Sequence, residues 1–126
     1  MRNYLRYVDD FVCLGDKKTL HELRKKIVAF LHERLDLEVD PTKNRVLYAR
    51  NGLPFLGFVL RPNRQARLRK ESVKRFRWAL RRGKRQGLSE LDMATKVISW
   101  YAYARRANVH ALLQKTNSMK YVDQLI

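Results

Sequence analysis

Acidic residues are scarce in this chain: 12 Asp and Glu stand against 28 Lys and Arg, a formal net charge of +16 over 126 residues. That surplus excludes a charge-balanced surface and points to a polyanion as partner. An acidic membrane surface is the competing partner. Cysteine is nearly absent. With Cys13 alone no internal disulfide can form, and its place in an apolar run reads as a small buried hydrophobe in a reducing compartment. No apolar run approaches the ~20 residues that a spanning helix needs, and no signal-peptide pattern follows Met1. The expectation is a soluble, cytoplasmic protein with no membrane partner. No internal repeat or low-complexity linker is visible, and the length fits one modest domain or two small subdomains.

The charge is unevenly spread. Asp9, Asp10, Asp16, Glu22, Glu33, Asp36, Glu38 and Asp40 place most of the acids in the first third. Between Arg61 and Arg85 the sole acid is Glu71, set among Arg, Lys and the apolar residues Val73, Phe76, Trp78 and Leu80. That interleaving predicts a helix packed on one side and cationic on the other, against the alternative of a disordered basic tail. Arg77, Arg81, Arg82, Lys84 and Arg85 are the candidate phosphate contacts. Trp78, Trp100, Tyr101 and Tyr103 could stack on bases, but their helical spacing reads as core.

Helices are predicted over Lys17–Arg34, capped by Asp16, and over Lys70–Lys84, stopping near Gly83 and Gly87. A third helix opens on the capping-box pattern Ser89-Glu90-Leu91-Asp92 and carries Leu91, Ala94, Val97, Ile98 and Tyr101 inward. A shorter one is predicted over Asn108–Lys115. In the first helix Leu20, Leu23, Ile27, Phe30 and Leu31 form one apolar stripe. His21 and His32 lie beside it as surface histidines with no partner at metal spacing. Leu37–Val39 reads as a brief strand before the Asp40-Pro41 turn. The runs Arg45–Ala49 and Pro54–Leu60 bracket Asn51-Gly52, a hairpin signal. Gly57 within a strand predicts a bulge or a close backbone approach, with nucleic acid one candidate for what approaches.

The densest chemical signal is Tyr7-Val8-Asp9-Asp10. Asn3–Val8 and Phe11–Leu14 are apolar enough for strands, so a tight turn would hold both acids at a hairpin tip. Paired carboxylates suit hard divalent cations such as Mg²⁺. Two unit charges at about 4 Å repel by roughly 4 kcal/mol at an effective dielectric of ~20, a repulsion that a bound cation offsets. A solvated Asp-Asp turn without function is the alternative.

On these residues the chain resembles the reverse transcriptase family, in particular its bacterial, group II intron-like branch. The Tyr-x-Asp-Asp hairpin resembles the one that carries catalytic acids in the polymerase palm. Leu35 to Lys43 is similar to the next block, and Phe55-Leu56-Gly57-Phe58 to the hairpin that grips the primer. The Arg/Lys-rich helices, with Ser99-Trp100-Tyr101 and Arg105-Arg106-Ala107-Asn108, are similar to the start of the thumb. The blocks follow the family's order along nearly the whole chain. The implied fold is α+β: residues 1–62 a partial polymerase palm of antiparallel strands with one packed helix, residues 63–126 a small helical thumb-like subdomain.

The resemblance implies Asp9 and Asp10 as catalytic metal ligands for Mg²⁺, with Mn²⁺ an alternative. It gives Lys43 a proton-donor or phosphate role and places Tyr7, Phe55, Leu56 and Gly57 against nucleic acid. For Lys43 a plain surface lysine is an equal alternative, and packing of the phenylalanines is the stronger reading of that hairpin. The implied partners are an RNA template and a DNA primer, with dNTP as substrate. A further metal-binding Asp and the fingers are expected to come from elsewhere, because two adjacent acids cannot by themselves complete a two-metal site. The chain alone is therefore expected not to polymerise DNA. It reads as a reverse transcriptase fragment that pairs with the missing fingers and palm half in trans, or self-associates through an uncovered hairpin edge. A non-catalytic nucleic-acid-binding module is the alternative; a basic ribosomal-type protein explains the charge but not the ordered blocks.

Overall fold

The computed structural model describes residues 3–125, and within them the chain is a small α+β protein of two antiparallel sheets and five helices. It divides into two compact units, one up to Tyr48 and one from Ala49 onward. Among the described residues no helix is long and apolar enough to cross a membrane.

In the first unit, β1 (Tyr4–Tyr7) pairs antiparallel with β2 (Asp10–Cys13), Tyr4 opposite Cys13 and Tyr7 opposite Asp10. Opposed residues share a face, so Tyr4, Arg6, Phe11 and Cys13 lie on one side and Leu5, Tyr7, Asp10 and Val12 on the other. The Tyr4 and Phe11 rings meet at 6.0 Å. Both faces thus carry apolar groups, yet Leu5, Tyr7 and Val8 are more than half exposed. Cys13 is half-buried rather than enclosed.

Helix α1 (Lys17–Leu35) starts where Asp16 accepts the Thr19 N–H at 3.0 Å and the Thr19 hydroxyl at 2.6 Å. It stops at Asp36, in the left-handed region at φ 50°, where the Leu37 N–H reaches the Leu31 carbonyl at 3.0 Å. Leu20, Leu23, Ile27 and Leu31 are half-buried and Phe30 is exposed. No described residue of this unit is fully buried.

The segment after α1 departs from expectation. Leu37–Val39 and Arg45–Tyr48 are irregular rather than strands, and Ala49–Asn51 is a single 3₁₀ turn. Local polar bonds organise this stretch. Asp40 accepts the Thr42 N–H at 2.9 Å and its hydroxyl at 2.7 Å, and Arg24 donates to the Asn44 carbonyl at 3.4 Å. Such Asx turns offer the backbone an alternative to a ladder.

In the second unit β3 (Leu53–Phe55), β4 (Phe58–Leu60) and β5 (Arg67–Leu68) form an antiparallel meander. The hairpin turn therefore falls at Leu56-Gly57, not at Asn51-Gly52. Helix α2 (Lys70–Arg85) runs through Gly83 and ends at Gly87, with the Leu88 N–H closing on the Gly83 carbonyl at 3.1 Å. Gly83 serves packing: a Cβ there would come 2.7 Å from the Met93 sulfur. Helix α3 (Glu90–Ala104) is capped by Ser89, which accepts the Asp92 N–H at 3.1 Å and donates its hydroxyl to that carboxylate at 2.7 Å. Helices α4 (His110–Lys115) and α5 (Met119–Val122) complete the unit, the last of them unforeseen.

Phe58, Phe76, Leu80, Met93, Val97, Ala104, Leu113 and Val122 form its core, with Trp100 stacked on Phe76 at 3.8 Å. Leu91, expected inside, is 76% exposed, whereas Met93 is 6% exposed. Residues 93, 97, 100 and 104 define the true inner face at steps of three and four.

Glu90 ties the two ends of this helical region together. It accepts the Tyr121 hydroxyl at 2.7 Å and the Lys120 ammonium at 3.1 Å. The Tyr121 bond, then Lys120, lowers the Glu90 pKa from its ordinary value, and the same Glu90 contact raises that of Tyr121. A depressed carboxylate stabilises the fold above its unfolded pKa and loses that contribution as pH falls through the folded value. A raised phenol loses its contribution as pH climbs through its folded value. The α3–α5 contact is thus expected to hold across the neutral range and loosen at both extremes. Hydrogen exchange at α5 against pH should show this plateau in the parent and a flat acid limb in Glu90→Gln.

Candidate functional site

The β1–β2 register leaves Val8 and Asp9 as a two-residue loop between Tyr7 and Asp10. Val8 has φ 52°. A β-branched residue in the left-handed region is an outlier that costs on the order of 1–3 kcal/mol, and glycine is the usual occupant of that loop position. Asp9 sits in the loop and Asp10 is the first residue of β2; both are exposed. Neither takes part in an ion pair among the described residues. The loop therefore presents two carboxylates without partners on adjacent positions of a strained turn.

Those carboxylates are hard oxygen donors of the kind Mg²⁺ prefers, and Mg²⁺ commonly takes only one or two of them beside water and substrate phosphates. In donor type Asp9 and Asp10 fit such an ion as part of its shell. Among the described residues no group of three or more His, Cys, Asp and Glu side chains is gathered to hold a metal. Lys43 lies in the Pro41–Lys43 turn, its N–H bonded to the Asp40 carbonyl at 3.1 Å. It is exposed and forms no ion pair with Asp9 or Asp10.

Phe55, Leu56 and Gly57 stand together at the β3–β4 turn. Leu56 has φ 49° and Gly57 φ 83°. Positive φ at both central residues is the type I′ pattern, whose twist matches the flanking strands. The close approach expected at Gly57 is made by the protein itself: the Tyr103 hydroxyl donates to the Leu56 carbonyl at 2.8 Å and occupies the space a Gly57 Cβ would need. The Tyr103 ring also lies 5.0 Å from that of Phe58. Phe55 is half-buried, and Leu56 is exposed at the tip.

Arg77, Arg81, Arg82, Lys84 and Arg85 are all exposed on α2. At 3.6 residues per turn, Arg77, Arg81 and Lys84 fall within about 60° of arc, and Trp78, Arg82 and Arg85 within another about 60° beside them. Trp78 overturns its expected core role. It is 60% exposed, with the Arg82 guanidinium 5.1 Å from its ring centroid. Trp100 and Tyr101 are half-buried as their spacing suggested. What the sequence missed is an aromatic on a cationic face; the arginines four and seven places on were the available signal. Compared with family models and with curated proteins, the chain matches none.

Proposed function

We propose that this chain is part of an RNA-directed DNA polymerase, carrying the Tyr-x-Asp-Asp hairpin, a primer-contacting turn and basic thumb helices, and completed by fingers and further palm strands outside these 126 residues. The observation that carries the reading is the Val8-Asp9 loop. Two unpaired carboxylates sit where the backbone is held in a conformation valine disfavours, and such strain gathers at functional turns. The apolar faces of the β1–β2 hairpin support the need for a completing sheet, because a lone two-stranded hairpin has marginal stability in water. In the assembled site Asp9 is the principal ligand for Mg²⁺, or Mn²⁺, and Asp10 its neighbour. The ion would lower the barrier to attack of a primer hydroxyl on dNTP. Lys43 would steady the departing pyrophosphate.

A non-catalytic nucleic-acid-binding module is the second reading, favoured by the exposed Trp78–Arg82 pair on a basic helix. One experiment separates them: dNTP incorporation on a primed RNA with Mg²⁺, by this chain alone and with a polypeptide supplying fingers and remaining palm. Incorporation requiring both pieces, falling at least about a thousandfold in Asp9→Ala, is the expected result, because a lost metal ligand removes several kcal/mol of transition-state stabilisation. Tight, salt-sensitive binding with no incorporation in any pairing would establish the second reading. Full complemented activity in Asp9→Ala would refute the metal-ligand assignment.

A further inference from the structure

Lys115 ends α4, far along the sequence from the basic run of α2, yet the two meet. The turn that follows it is rigidly built. Asn117 sits at φ 54°, Ser118 donates its N–H to the Leu113 carbonyl at 2.8 Å, and Thr116 gives its hydroxyl to the Leu112 carbonyl at 2.9 Å. Leu113, Ser118 and Val122 are each at most 2% exposed, so this turn is anchored in the core. It forms one wall of an open-sided groove of about 350 Å³ whose other wall is α2. Arg77, Arg81, Lys84, Lys115 and Asn117 line it over an apolar floor at Leu80, with no carboxylate among the lining residues. Glu90, which lines the adjoining cavity, is already engaged by Lys120 and Tyr121.

We propose that this groove seats the sugar–phosphate backbone of one nucleic-acid strand, with Lys115 and Asn117 completing a cradle begun by α2. The inference rests on the nucleic-acid-binding part of the function proposed above and assigns it a place. Arg77, Arg81 and Lys84 mark a cationic line about 10 Å long at 1.5 Å of rise per residue. A strand carries one phosphate per nucleotide, spaced more widely along its backbone than the ~3.4 Å axial rise, so that line faces about two to three phosphates, close to one per cation. The guanidinium forks suit phosphate oxygens bidentately, and a lysine on the opposite wall adds a point charge. The Asn117 amide supplies a neutral donor, and Leu80 tolerates the apolar face of a sugar.

The test uses the full chain and a labelled RNA–DNA hybrid, with affinity followed by anisotropy across a salt series. Lys115→Ala is expected to weaken binding about fivefold at about 0.15 M salt and to lower the log–log salt slope by about 0.8, the signature of one lost phosphate contact. Lys96→Ala, an exposed lysine on α3 outside the groove, should leave the slope unchanged. Asn117→Gly keeps the left-handed turn accessible, so it should weaken binding with an unaltered melting midpoint. Parental binding with the same affinity and slope in Lys115→Ala would overturn the groove while leaving the function reading intact. Displacement of the hybrid by polyglutamate at equal charge concentration would assign the groove to acidic peptides and overturn it as well. Absence of binding by the parent chain would overturn both.

Discussion

Replacing Arg77, Arg81 and Lys84 together by Gln should lower affinity for an RNA–DNA hybrid about a hundredfold at about 0.15 M salt and reduce the salt slope by two to three. Each cation that neutralises a phosphate contributes roughly 0.7–0.9 to that slope, so three contacts account for the loss. The fold should be spared. All three side chains are exposed, none forms an ion pair among the described residues, and Gln is nearly as good a helix former as Arg or Lys. Circular dichroism should therefore show unchanged helix content beside the binding loss. An unchanged slope in the triple variant would mean that α2 is merely a solvated face.

A second large effect is expected from a single methyl group. Gly57→Ala should destabilise the unit from Ala49 onward by about 3 kcal/mol, through two separable causes. Alanine at φ 83° pays about 1–2 kcal/mol for the left-handed backbone. The new Cβ also collides with the Tyr103 hydroxyl, which must give up its 2.8 Å bond to the Leu56 carbonyl, a loss of about 1 kcal/mol or more. Since the Tyr103 ring packs on Phe58, a core residue, the disturbance travels inward. At about 4–8 °C per kcal/mol for a domain of this size, the melting midpoint should drop by about 12–24 °C. Gly57→Ala combined with Tyr103→Phe relieves the collision but not the backbone cost, so the double variant should recover about 1 kcal/mol relative to the additive sum. Additive losses would show that the hydroxyl and the glycine do not meet.

Those two sites differ in how much of them the sequence disclosed. Helices α1, α2 and α3 were legible because their ends are written in side chains: Asp16 and Ser89 as caps, Gly87 as a stop. The acid hairpin was legible because two short apolar runs flank it at a turn's length. Apolar patterning alone hid the β3–β4 turn, because Pro54 to Leu60 reads as one run and the stronger Asn51-Gly52 signal competes with it; the resemblance of Phe55-Leu56-Gly57-Phe58 to a primer-grip hairpin places a fold-back there. The fold-back needs Leu56 at φ 49° beside Gly57 at φ 83°; the glycine is a usual residue of that turn and the leucine is not. Leu91 was assigned to the wrong side, and Met93 left unassigned, because the helical phase is set by Val97 and its neighbours, not by hydrophobicity at one position. The groove of Arg77 and Lys115 could not be read at all, since it depends on α4 returning to α2.

The two-sided apolar hairpin has a practical consequence at the bench. In dilute buffer the large positive charge keeps separate copies apart, even though each strand of β1–β2 offers an edge unpaired among the described residues. Strong brine, the usual means of stripping bound polynucleotide during purification, shortens the reach of that repulsion to about 3 Å at about 1 M. The step that cleans the protein is therefore also the step that leaves its strand edges free to clump.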